Sequence, residues 1–173
     1  EISRRYPGYD AAVRQFITTD PLATPRVALA LAYLDSLPDL PEVPVFLAHE
    51  LGGGAECALQ QRLSSQTPTG AVVIRVGGLH RYRIEIVTAQ GTICGAVDAD
   101  RTLLALIARL SRRRIVYSCG VGAQDADRLP DLLLRLAGER PVEVMFHDYF
   151  PLSPSYNLLD SDLAFRGLPT PGV

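Results

Sequence analysis

Apolar and polar positions change period several times along the chain, and those changes mark its elements. Residues 45–48 are a short apolar run suited to a buried parallel strand. Residues 55–64 place Leu59 and Leu63 four apart, which predicts a helix. Residues 71–76 are rich in β-branched side chains and predict a second strand. Over 81–87 the period drops to two: Tyr82, Ile84 and Ile86 fall on one face, and Arg81, Arg83, Glu85 and Val87 on the other. Gln90 and Gly91 turn the chain and 92–97 returns, so 81–97 predicts an antiparallel hairpin at an edge of the sheet or over one face. Asp100 caps a helix over 102–110 that runs into Arg112, Arg113 and Arg114, whose charge suits a helix C-terminus. Residues 115–119 and 142–146 predict further strands, with a helix over 127–137 and Gly138 at its end.

The first 41 residues follow a different pattern. Tyr6, Tyr9 and Phe16 are set among charges, and 11–17 has room for one or two helical turns. Thr24 and Pro25 form a helix start, and the helix that follows is apolar on most of its surface. Pro38, Pro41 and Pro44 then make a stiff linker. Residues 1–41 are therefore expected to be a helical appendage, and 42–173 an α/β domain with a mostly parallel, Rossmann-like sheet. From Pro151 the prolines and the loss of periodicity predict a loop.

Composition narrows the partners. The chain has 173 residues, 17 basic against 19 acidic, and a net charge of −2, so bulk charge points to neither nucleic acid nor an acidic membrane. Every basic residue is arginine, a bias that reads as genome composition rather than dedicated anion binding. Cys57, Cys94 and Cys119 are odd in number and widely spaced, which predicts neither a disulfide framework nor a metal site and favours a reducing, cytoplasmic setting. No apolar run approaches the length of a membrane span.

The right-handed crossover rule brings the C-terminal ends of parallel strands to one edge, where α/β proteins bind ligands. Gly52, Gly53 and Gly54 stand there between a strand and a helix, where backbone amides and the helix dipole suit an anion. The turn lacks the Gly-Lys-Ser/Thr of a Walker loop, and Cys57 breaks the dinucleotide fingerprint, which weakens a nicotinamide-dependent reading. His147 and Asp148 close the last strand and are the candidate catalytic pair, since an imidazole exchanges protons near neutral pH. His49 has a similar position with a weaker case, and His80 reads as a loop residue. Glu56 is either a dipole partner of the helix or a substrate contact.

Residues 147–167 resemble a segment of bacterial retaining glycosyltransferases of the GT-B fold, the group 1 or family 4 enzymes. Its pattern is His-Asp-Tyr-Phe-x-x-Cys-Pro-x-x-Asn-Leu-x-Asp. His147, Asp148, Tyr149, Phe150, Pro154, Asn157, Leu158 and Asp160 match, and Ser153 replaces the cysteine. Residues 49–56 resemble the first loop of that family, His-x-x-Gly-Gly-x-Glu, with one residue more between Gly53 and Glu56. The resemblance implies the acceptor-side lobe of a two-lobed enzyme, inactive without its donor-binding lobe. It implies a nucleotide-sugar as co-substrate with no other cofactor, and a glycan or lipid-linked acceptor in surface-polysaccharide synthesis. It also implies association with the inner face of a membrane. Gly52, Gly53, Gly54, Glu56, Tyr149 and Asn157 would contact substrate, and His147 would lie near the donor sugar. One departure is that 118–120 carries no histidine where relatives often have two. The alternative is a Rossmann-like module that binds a nucleotide or glycan without catalysis.

Overall fold

The computed structural model describes residues 2–38, 40, 42–66 and 70–168. It is an α/β fold consistent with the Rossmann-like class, built on one six-stranded mixed sheet. The elements in order are α1 (Ile2–Arg5), α2 (Tyr9–Thr19), α3 (Ala23–Ser36), β1 (Val43–His49), α4 (Gly54–Gln66), β2 (Ala71–Val76), β3 (Tyr82–Thr88), β4 (Gly91–Val97), α5 (Asp100–Ile107), β5 (Arg113–Tyr117), α6 (Leu129–Ala137) and β6 (Val142–Val144). A single 3-10 turn, Ala126–Arg128, leads into α6. The strand order is β4-β3-β2-β1-β5-β6. β2, β1, β5 and β6 run parallel, whereas β3 is antiparallel to both β2 and β4. Among the described residues no helix is long and apolar enough to cross a membrane.

β1 and β2 are buried along their whole length, which is why they read as continuous apolar runs. β3 alternates because only one of its faces is covered: Tyr82, Ile84 and Ile86 are buried while Arg83 is exposed. The expected hairpin is therefore the end of the sheet, and β4 is its outer strand. Two apolar clusters lie on opposite faces. One holds α3, α5 and α6 against Val45, Leu47, Ile74, Ile84, Ile115 and Tyr117. The other, smaller, holds α4 through Leu59 and Leu63 against Phe46, Val73 and Val116.

The N-terminal segment does not behave as one unit. α3 buries Val27, Ala30, Leu31 and Leu34 in the main core, so it belongs to the sheet domain. α2 buries none of its residues. α3 also starts one residue before Thr24, with Leu22 at its N-cap position, and Pro25 lies within the first turn, where the missing N–H costs nothing. Residues 39 and 41 of the linker, residues 67–69 between α4 and β2, and the tail beyond 168 lie outside the described residues.

The arginine run also has a different setting from the expected one. Arg113 and Arg114 open β5 rather than closing a helix. The dipole argument survives through space. Arg112 donates to the carbonyls of Asp35 and Leu37 at the end of α3, at 3.4 and 3.2 Å. Arg113 donates to the carbonyls of Leu110 and Leu136, both at 2.9 Å, after α5 and within the last turn of α6. Arg114 pairs with Glu143 across β5 and β6.

Gly95 lets α3 lie close to the outer strand. A Cβ at that position would sit 2.5 Å from the Val27 side chain and 3.0 Å from the Ala23 carbonyl oxygen. Gly95→Val is expected to destabilise the fold by about 1–3 kcal/mol, the usual cost of overpacking. Urea denaturation of the two proteins checks this, and an unchanged midpoint would show that α3 does not press on the sheet.

Candidate functional site

Four parallel strands deliver their C-terminal ends to one edge, and the chain leaves that edge in two directions. After β1 it turns into α4 on one face, and after β5 it turns into α6 on the other. The two connections part between β1 and β5, which are neighbours in the sheet. Strand ends at such a divergence are the usual ligand position in open α/β sheets.

His49 ends β1 and is 6% exposed. Its Nδ1 accepts the Leu51 N–H at 3.1 Å, so in the neutral ring the proton is on Nε2. That Nε2 is buried and has no partner among the described residues. Ser118 follows β5 and is 1% exposed, and its hydroxyl is likewise buried without a partner. Its backbone N–H continues the β1–β5 ladder to the Leu47 carbonyl at 2.8 Å. Two adjacent strand ends thus each leave a buried polar atom unmet, a condition that costs about 1–3 kcal/mol per group. Water or a ligand commonly completes such groups. Burial holds the His49 imidazole below its ordinary 6.5, with Arg75 and His147 adding to that shift while Glu56 and Asp148 oppose it.

The glycine turn comes next. Gly52 and Gly53 have φ of +78° and +86°, a region that side-chain-bearing residues avoid. A Cβ at Gly52, Gly53 or Gly54 would meet nothing within 4 Å, so the backbone here is open to approach. The Gly53 carbonyl accepts the Cys57 N–H at 3.0 Å and starts α4, a 13-residue helix. Glu56, in the first turn of that helix, is committed elsewhere. Its carboxylate forms a two-oxygen ion pair with Arg75, which is 8% exposed, and also accepts from Gln60 at 2.7 Å. Arg75 in turn reaches the His49 carbonyl at 3.1 Å and Glu85 at 3.2 Å. Glu56 therefore ties the start of α4 to β1, β2 and β3. The 320 Å³ cavity beside it is lined by Glu50, Gly52, Glu56, Arg75, Arg83 and Glu85. Three carboxylates there offset two guanidiniums, so an anion approaching the turn from that side is opposed.

His147 follows β6 on the same edge and is exposed. Its Nδ1 lies 3.0 Å from the Ser118 carbonyl. A carbonyl only accepts, so Nδ1 carries the proton and Nε2 presents a lone pair. The two histidines thus have opposite tautomers, each set by a backbone partner. Asp148, the other expected catalytic residue, is 3% exposed. Its Oδ1 accepts from the Tyr117 hydroxyl at 2.6 Å and the Phe150 N–H at 3.1 Å, and its Oδ2 accepts from the Gly120 N–H at 2.8 Å. An enclosed carboxylate with that many donors ties the end of β5, the loop after it and the C-terminal loop together. Burial and the Asp148 contact push the Tyr117 phenol far above its ordinary range, and burial pushes the Cys119 thiol up to about 12. Both stay protonated and neutral near neutral pH.

Tyr149 and Asn157 lie in the loop beyond. Tyr149 is 39% exposed, and its N–H reaches the Tyr156 carbonyl at 3.0 Å. Asn157 turns inward on its own loop: its Oδ1 accepts from the Ser155 hydroxyl at 2.8 Å and the Leu159 N–H at 3.1 Å. The edge therefore gathers His49, the glycine turn, Ser118 and His147. Asp148 and Glu56 serve as supports, and Asn157 shapes a loop. Sequence reasoning places Ser118–Gly122 on this edge but gives the Ser118 side chain no role, and it does not single out Tyr117 or Arg75. Ser118 had one available signal, as the first polar residue after an apolar strand that ends on this edge.

A cavity of about 490 Å³ lies elsewhere, between the α2–α3 turn and the outer strand. Its Arg26 is already paired with Asp20 and donates to the Cys94 carbonyl at 3.1 Å. Size alone gives it no chemistry to match the strand-end group of His49, Ser118 and His147. Among the described residues no group of three or more His, Cys, Asp or Glu could hold a metal ion.

The His49 environment makes a prediction with a definite sign. Its folded pKa lies below the unfolded 6.5, so in the interval between them the unfolded chain binds a proton that the folded chain does not. Stability should fall as pH drops through 6.5 toward the folded value, and the His49 ring protons should titrate with a midpoint below 6.5 by NMR. A midpoint at or above that value would contradict the buried, neutral imidazole. The chain matches none of the protein-family models, curated proteins or solved structures with which it was compared.

Proposed function

We propose that this chain is the acceptor-side lobe of a glycosyltransferase that takes sugar from a nucleotide-activated donor and passes it to a glycan or lipid-linked hydroxyl. The observation that supports this reading best is the meeting of the open glycine turn and His147 on one sheet edge, on the two sides of the β1–β5 divergence. Sugar transfer needs two things that such an edge supplies: positioning of a hydroxyl-bearing substrate, and dipoles aimed at a charged leaving group. His147 Nε2 accepts a hydrogen bond from a sugar hydroxyl. The amides of Gly52, Gly53 and Gly54, at the positive end of α4, face oxygen atoms of the donor diphosphate. Asp148 and Glu56 are both committed to donors, so this lobe binds and orients. The resemblance of residues 49–56 and 147–167 to the glycosyltransferase segments adds the donor lobe, which carries the nucleotide. On this reading the lobe alone transfers no sugar.

The test is His147→Ala in the full-length protein with its second lobe. Loss of one hydrogen bond to substrate is worth about 0.5–1.5 kcal/mol, and about tenfold in rate corresponds to 1.4 kcal/mol. The expected result is a fall in kcat/KM of about threefold to tenfold, with an unchanged melting temperature because His147 is exposed. Unaltered transfer kinetics would remove His147 from the site. Binding of a nucleotide-sugar or glycan by a full-length protein that catalyses no transfer would favour the module reading instead.

A further inference from the structure

His49 stands where β1 hands the chain over to the glycine turn. Its Nδ1 accepts the N–H of Leu51, two residues on, at 3.1 Å. The bond has the pattern of an Asx turn, with a ring nitrogen in place of the usual side-chain oxygen. That exchange matters. An amide oxygen accepts whatever the pH, whereas an imidazole nitrogen accepts only while the ring is neutral.

The turn has few other ties. Among the described residues the backbone of 51–53 makes two hydrogen bonds: Leu51 N–H to His49, and Cys57 N–H to the Gly53 carbonyl at 3.0 Å. Gly52 and Gly53 sit at φ +78° and +86°, and a Cβ at either would meet nothing within 4 Å. A second proton on the ring would sit on Nδ1 and face the Leu51 N–H, donor against donor. The other nitrogen, Nε2, is buried and has no partner among the described residues.

The charged groups around the ring are already engaged. Glu56, in the first turn of α4, is bound to Arg75 and Gln60. Asp148, beyond β6, is bound to Tyr117, Gly120 and Phe150. Glu50, the next residue in the chain, pairs with Arg83. Glu56 and Asp148 favour a charge on the ring, but Arg75 of β2 and His147 oppose it and burial opposes it most. Charging the ring therefore removes one hydrogen bond and encloses a cation, and the open turn is the part free to yield.

We propose that His49 is an acid-operated latch on the glycine turn: a proton taken from solvent onto Nδ1 breaks the bond to Leu51 and lets 50–54 move. A ligand held by the amides of 52–54 is gripped while the ring is neutral and let go when it is charged. The latch rests on the His49–Leu51 contact and not on the sugar-transfer reading, and either stands if the other fails.

Backbone amide NMR of the labelled chain, from neutral pH down to the onset of acid unfolding, tests it. The His49 ring protons are followed in the same samples. The expected result is that the Leu51, Gly52, Gly53 and Gly54 amides shift with the midpoint of the His49 ring, while those of 45–47 and of β2 do not. Protection of the Leu51 N–H from exchange, corrected for the intrinsic rate, should fall by about tenfold across that midpoint. His49→Asn puts an amide oxygen in the place of Nδ1, so it keeps the acceptor and loses the titration. Its 51–54 amides should hold steady over the same range, and His147→Ala should titrate as the parent does. Amides of 51–54 that ignore the His49 midpoint would overturn the proposal, as would a His49→Asn chain that still titrates there. Loss of the titration in His147→Ala would overturn it by assigning the switch to His147. Unfolding of the whole sheet in step with the His49 ring would overturn it too, because the change would then be global. Should His49→Asn fail to fold, the parent titration and His147→Ala still decide.

Discussion

The Asp148 carboxylate is where the catalytic-looking end of this sheet is held together. It accepts hydrogen bonds from the Tyr117 hydroxyl, the Gly120 N–H and the Phe150 N–H. Those donors belong to the end of β5, the loop after it, and the start of the C-terminal loop. β6 is only three residues long, and an edge strand that short does little to fix the direction of the chain beyond it. Buried charge-assisted bonds at this junction supply the missing constraint. They set the path of the residues on either side of Asp148, and so the place of His147, whose ring is completed by the Ser118 carbonyl.

The rest of the edge follows from topology. A strand order that grows one way through α4 and the other way through α6 makes the connections diverge at the β1–β5 boundary, and the polar groups on both sides end there. His49 and Ser118 each keep a buried atom without a protein partner there. Stability alone gives little reason to keep such atoms unmet, and water or a ligand commonly completes groups of this kind. The opposite end of the sheet shows the contrasting arrangement. Arg112 and Arg113 fill carbonyls at the ends of α3 and α6 and in the turn after α5, and the polar groups there are consumed by the fold itself.

Much of this architecture was legible in the sequence because it rests on local pattern. Residues 71–76 read as a strand from their β-branched run, and the alternation of Tyr82, Ile84 and Ile86 gave the correct buried face. Gly52, Gly53 and Gly54 marked the turn between β1 and α4, where Gly52 and Gly53 take positive φ. What was not legible depends on partners far away in the chain. α3 is apolar nearly all round, so nothing local says which side meets β3 and β4, and it was grouped with α2 as an appendage. Arg113 looked like the end of a helix because its run follows one. Its carbonyl partner Leu136 lies 23 residues on. Glu56 carries no local sign of Arg75, and a strand-final Asp148 looks alike whether it faces a substrate or three internal donors. Position at a strand end identifies a candidate. Burial and partner count decide what the candidate does.

The central claim is that one carboxylate secures the loop that presents His147 to the ligand edge. Residue-resolved hydrogen exchange on Asp148→Asn tests it most directly, because the amide keeps the shape but turns an N–H toward a donor that needs an acceptor. The account predicts faster exchange at the amides of Gly120 and Phe150 and through 147–158, with β1 and β2 still protected. It also predicts a global stability loss of about 1–3 kcal/mol, the cost of one unmet buried donor. Unchanged exchange at Gly120 and Phe150 would contradict it, because the path of the chain through His147 would then be held by something other than Asp148.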